Sequence, residues 1–82
     1  MIEDIPNNNK KCGVKGSLTR VFKFRKSDAQ ELKCRTECIL RENCVAMSGV
    51  FSGSKTWCIG CNVALDMPKS KAKAFKKEGK CM

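Results

Sequence analysis

Three of the seven cysteines, Cys34, Cys38 and Cys44, are spaced C-x3-C-x5-C in a chain of 82 residues that has no histidine. Sulfur is therefore the chemistry to account for first. On a helix, Cys34 and Cys38 share a face, and Cys44 follows just past a plausible helix end. A Cys38–Cys44 bridge would staple the helix exit to the next segment and leave Cys34 to reach a distant cysteine. Other chemistry is sparse. Without histidine the common base for a Ser or Cys nucleophile is missing, and there is no tyrosine. Glu37 and Glu42 read as surface charge rather than a paired acid and base. Gly13-Val14-Lys15-Gly16 lacks the spacing of a phosphate-binding loop. The expectation is a protein that is not an enzyme and needs no cofactor or metal.

The elements that must hold these cysteines fit a single small domain. A chain this short buries little apolar surface, and covalent staples are the usual remedy. Seven cysteines in so few residues read as a disulfide scaffold made in an oxidising, extracellular compartment. Met1-Ile2-Glu3-Asp4 is acidic and not followed by an apolar run, so it does not read as a signal peptide, and the chain is taken as a mature domain. No stretch reaches membrane-spanning length, and no Asn-x-Ser/Thr sequon occurs.

Residues 1–11, polar and with Pro6 and Asn7-Asn8-Asn9, are expected as a flexible arm, and residues 12–82 as the folded domain. Cys12 to Gly16 reads as a turn. Ser17 to Phe24 alternates as a strand, with Leu18, Arg20, Phe22 and Phe24 on one side and Thr19, Val21 and Lys23 on the other. Ser27-Asp28-Ala29-Gln30 fits a capping box for a helix running to about Arg41. Its apolar stripe is Ala29, Leu32, Thr36, Ile39 and Leu40, and Leu32 lies about 160° from Cys34. The cysteines and the stripe thus occupy different sides. A helix covered on both sides is expected; the alternative, exposure of Leu32 and Ile39, would mark a contact patch. Cys44 to Phe51 reads as a buried strand, Ser52 to Lys55 as a hairpin loop, and Thr56 to Val63 as the returning strand with Trp57, Cys58 and Ile59. Lys69 to Lys80 is an irregular strand, followed by Cys81.

This order, with Cys34-Arg35-Thr36-Glu37-Cys38 on a helix, Asn43-Cys44-Val45-Ala46-Met47 leading a strand and Trp57-Cys58-Ile59 in a hairpin, resembles the PAN/apple domain family. The likeness spans residues 12–81. It implies an α+β fold, a small disulfide-rich domain with one helix packed on a curved antiparallel sheet. It also implies bridges Cys34–Cys58, Cys38–Cys44 and Cys12–Cys81, a choice that spacing alone leaves open among 15 pairings of six cysteines. Cys61 departs from the family pattern. It is expected as a buried free thiol or as the link of a disulfide-bonded dimer. A redox pair with Cys58, or a zinc site of Cys34, Cys38, Cys58 and Cys61, are lesser readings.

The formal net charge is +9, unevenly spread. Lys10 to Lys26 holds seven bases and no acid, and Lys69 to Lys80 holds six lysines against Glu78. If the chain ends are joined, the two basic segments form one positive face suited to an anionic partner. The residues chosen from local charge are Lys15, Arg20, Lys23, Arg25 and Lys26, with Lys71, Lys73, Lys76 and Lys77 opposite. PAN/apple modules bind proteins or carbohydrates, heparin among them. The expected function is thus a secreted module for an acidic polysaccharide or an acidic protein surface. The alternatives are an effector that blocks host adhesion or haemostasis proteins, through the Phe51–Trp57 hairpin or the Leu32/Ile39 side of the helix, and a cationic toxin or antimicrobial. Neither specific nucleic-acid binding nor membrane insertion is expected: Trp57 alone is a poor stacking platform.

Overall fold

The computed structural model describes residues 1–13 and 18–77. Among these residues, seven short strands form two antiparallel sheets, with one α-helix packed on the larger. The strands are β1 (Ile2–Glu3), β2 (Lys10–Lys11), β3 (Arg20–Arg25), β4 (Ala46–Val50), β5 (Trp57–Cys61), β6 (Met67–Pro68) and β7 (Lys73–Lys76), and α1 spans Glu31–Leu40. Five strands make the main sheet in the order β1-β7-β4-β5-β3, and β2 pairs with β6 in a separate ribbon. The helix covers one face of the main sheet and the ribbon covers the other, which gives the two small cores their places.

The helix-side core is Phe22, Cys34, Cys38, Cys44, Met47, Cys58 and Phe75. The second core, towards the ribbon, is Cys12, Ala46, Ile59, Cys61, Leu65 and Ala74, with Trp57 packed against it. Strand alternation explains the division. Cys58 pairs across to Gly49 and Phe24, whereas Ile59 pairs to Ser48 and Lys23, so successive residues of β5 serve opposite cores. Ser48 is fully buried, and its hydroxyl donates to the Lys10 carbonyl at 2.6 Å, fastening the ribbon to β4. Gly60 has no room for a side chain, because the Phe22 ring and the Cys44 sulfur lie where its Cβ would go.

Two implied bridges are present, Cys34–Cys58 and Cys38–Cys44. The third is Cys12–Cys61, with a Cα separation of 6.1 Å, in place of the expected Cys12–Cys81. The reason lies in the C-x2-C spacing on a strand: an odd separation sends the two sulfurs to opposite faces. Cys58 meets the helix, and Cys61 meets the ribbon side, where Cys12 sits. Cys61 is therefore neither a free thiol nor a dimer link. The zinc and redox readings fail with it, since Cys34, Cys38, Cys58 and Cys61 are all committed to bridges with partners outside a Cys58/Cys61 pair. Cys81 lies outside the described residues.

Residues 1–11, expected as a loose arm, are built into the sheets. Ile2 and Glu3 pair with Lys76 and Phe75, and Lys10 and Lys11 pair with Pro68 and Met67. The asparagines make these connections. Asn8 Oδ1 accepts from the Ala74 N–H at 2.8 Å, and Asn9 Oδ1 from the Lys71 N–H at 3.0 Å.

The helix begins later than the capping box implies. Lys26–Asp28 forms a 3-10 turn, and Gln30, the N-cap, makes no side-chain cap hydrogen bond. Its side chain does reach back, but donates to the Ser27 carbonyl instead. Except for Ala29, which is buried just before the helix, the apolar stripe is uncovered: Leu32 is 76%, Ile39 53% and Leu40 74% exposed. The helix is held by other means. Cys34 and Cys38 bridge to β5 and to the segment before β4. Arg35 lies over the Phe75 ring, Arg41 over Phe22 and Lys33 over Phe24, at 5.1–5.5 Å. The expected strand over Lys69–Lys80 is confined, among the described residues, to Lys73–Lys76.

Candidate functional site: a cationic groove around Trp57

On the ribbon side of the main sheet, Lys23 stands opposite Ile59 and Arg25 opposite Trp57. Simple alternation would put Arg20 on the other face. A bulge at Val21 prevents this: the register jumps between Arg20 and Phe22, and Arg20 pairs with Cys61. Arg20, Lys23 and Arg25 therefore stand in one row, and the side predicted for Arg20 is corrected.

That row forms one wall of a groove of about 350 Å³. Lys11 of the ribbon and Lys69, just past it, stand at the Arg20 end, Lys26, Ser54, Lys55, Thr56 and Trp57 at the Arg25 end, and Ile59 lines the groove between. Seven cationic side chains line the groove, and among the described residues no carboxylate does. Ile59 is buried, and Trp57 is half-buried, so part of an indole ring is left to face the groove.

Two of the cations are held by backbone. Arg20 donates from Nε to the Cys12 carbonyl and from Nη2 to the Gly13 carbonyl, both at 3.3 Å. The Cys12–Cys61 bridge thus also fixes the carbonyl that orients this guanidinium. Lys26 has a left-handed backbone, φ 56°, which a non-glycine residue adopts only where its surroundings over-determine it. Thr56 supplies that constraint: the Lys26 N–H donates to the Thr56 carbonyl, and the Thr56 hydroxyl to the Lys26 carbonyl, each at 3.0 Å. At the other end, burial pushes the Lys11 pKa below the ordinary lysine value, and the charges of Arg20 and Lys69 push it further.

The residues chosen from sequence separate into two groups. Arg20, Lys23, Arg25 and Lys26 come together in the groove, while Lys15 lies outside the described residues. The lysines of the second segment do not join them, because β5 and β4 stand between β3 and β7. Lys73 is on the helix face, bridging Glu3 at 2.8 Å and Glu31 at 3.4 Å. Its hydrogen bond to Glu3, aided by the charges of Glu31 and Glu3 and opposed by burial, raises its pKa. Lys77 donates to the Arg41 carbonyl at 2.7 Å, at the negative end of the helix. Lys71 sits in a left-handed turn held by Asn9. Lys76 shares the groove's face, but the Cys12, Ala46 and Leu65 core lies between. Among the described residues, the single continuous positive face is thus replaced by a groove that takes only Lys69 from the second segment. Lys11, Lys55, Lys69 and Trp57 are the lining residues that local charge did not single out. Trp57 meets Arg25 between strands that are not consecutive in the chain, so its place beside the cations left no local signal.

No family model, curated protein or solved structure matches this chain.

Proposed function

We propose that this protein is a secreted, non-enzymatic binding module of PAN/apple type whose groove recognises an anionic polysaccharide, such as a heparin-like glycosaminoglycan, or an acidic protein surface. The observation that carries this reading is the convergence, among the described residues, of seven cations and no carboxylate around a half-buried Trp57. Three disulfides fit an oxidising extracellular setting. A surface of this kind gathers binding energy from many small contacts, each weakened by salt. Arginines add a planar fork matched to carboxylate and sulfate oxygens.

Retention on a heparin column tests the reading. The triple substitution Lys23→Ala, Arg25→Ala, Lys26→Ala should elute at clearly lower salt than the parent, with an unchanged circular dichroism spectrum. Equal retention by a folded triple variant would remove the groove from consideration.

A second reading, protein binding through the helix, is favoured by one observation: Leu32, Ile39 and Leu40 are large, apolar and exposed on one element. Binding there would resist salt and be lost on Leu32→Asp with Leu40→Asp.

A further inference from the structure

The groove has two charged ends, one of them carrying the Trp57 indole, and the distance between the ends is set by strand geometry. Arg20 and Arg25 stand opposite Cys61 and Trp57. Four residues of β5 span roughly 13 Å at about 3.3 Å per residue. At the first end Arg20, its guanidinium anchored on two carbonyls, faces Lys11 and Lys69 across the gap between the main sheet and the ribbon. At the second end Arg25 and Lys26 meet Lys55 of the hairpin. The Trp57 ring stands at this second end beside Arg25, and the buried Ile59 edge lies between the two ends.

We propose that the groove binds a short linear segment of a ring-bearing polyanion, a sulfated or uronate oligosaccharide, laid along β3 with one sugar ring against Trp57 and an anionic group at each end. The inference rests on the anion-binding reading above and adds the class of ligand, its direction and its contacts. A flexible polyanion without rings satisfies the cations but leaves the indole face wet. A pyranose ring covers that face with its C–H edges and offers its own anionic group to the second end, while a neighbouring sugar carries another to the first. The first end is the tighter subsite. Like charges already crowd Lys11 there, so an anion relieves repulsion as well as gaining hydrogen bonds. The Arg20 guanidinium is pre-oriented, its Nε–Nη2 edge held by the Cys12 and Gly13 carbonyls, so an anion meets its Nη1 side with little freedom left to lose.

The test uses the intact protein, a sulfated heparin tetrasaccharide, and polyglutamate of matched charge as the ring-free probe, with affinities measured by titration calorimetry. Trp57→Leu should weaken the tetrasaccharide about tenfold and leave polyglutamate unchanged. Trp57→Phe, which keeps an aromatic face, should restore most of the loss and serves if the leucine variant fails to fold. Lys11→Gln with Lys69→Gln should cost more for the tetrasaccharide than Lys55→Gln. Equal responses of the two probes to Trp57→Leu, or no response of either, would overturn the inference while anion binding at the groove stands. Failure of the parent protein to bind either probe would sink the anion-binding reading itself.

Discussion

Arg20 and Lys26 show how single residues are committed to the groove at a cost to the fold. Lys26 is left-handed, where a Cβ costs about 1–2 kcal/mol. Lys26→Gly removes that strain, though glycine loses part of the gain to its greater freedom in the unfolded chain. The expected outcome is stability raised by up to ~1 kcal/mol in urea unfolding, together with earlier elution from heparin. A residue strained for structure alone would improve stability without that loss. Two lysines give opposite pH signatures. The Lys11 pKa is lowered, so the unfolded chain holds its proton more tightly, and this group's contribution to stability rises with pH towards the ordinary lysine value near 10.5. In the same window Lys11 loses its charge, so affinity for an anion should fall, and Lys11→Gln should flatten that part of the profile. The Lys73 pKa is raised, so its contribution is complete below the ordinary value and is lost as pH climbs through the raised one. Lys73→Met should therefore abolish an alkaline loss of stability and leave heparin retention unchanged.

Among the elements, β5 and α1 differ in how much of them the sequence discloses. The strands around Ala46–Val50 and Trp57–Cys61 are legible from β-prone apolar runs flanking a Ser-Gly-Ser turn, and the helix from the Cys34–Cys38 spacing. The bulge at Val21 leaves no mark in an alternating run, yet it decides where Arg20 stands. The side of the sheet taken by Cys61 was implicit in the strand assignment, since a C-x2-C on a strand must divide between faces, but its partner, Cys12, was not. The helix departs most from expectation. Its leucines point to solvent because disulfides and cationic stems over phenylalanine rings do the anchoring that an apolar stripe normally does. Leu32→Ser and Leu40→Ser should each change stability by less than about 0.5 kcal/mol. Gly60→Ala should cost about 1–3 kcal/mol in the same denaturation assay, because a methyl group there must displace the Phe22 ring. The polar run Asn7–Asn9 reads as loose because composition cannot show that its side-chain carbonyls meet backbone N–H groups more than sixty residues away.

For the whole molecule, the Cys12–Cys61 bridge does two things. It closes the longest of the three loops, a separation of 49 residues against 24 and 6, which loop closure makes worth roughly 4 kcal/mol against roughly 3.5 and 2. It also clamps the ribbon to the sheet, and so sets the width of the groove. Replacing Cys12 and Cys61 by serine should therefore lower stability more than replacing Cys38 and Cys44, and weaken heparin retention under conditions where both variants remain folded. The charge follows the same division. Lys33, Arg35, Arg41 and Lys73 pair with acids on or beside the helix, while among the described residues the cations of the groove face a wall without carboxylates. The most direct measurement is a chemical-shift map of the isotope-labelled protein titrated with a heparin tetrasaccharide. Saturable shifts at the Trp57 indole N–H and along Arg20–Lys26, with Lys11 and Lys69 moving in parallel, are the predicted result. Shifts confined to the helix surface or to Lys71–Lys77, with Trp57 silent, would contradict the account.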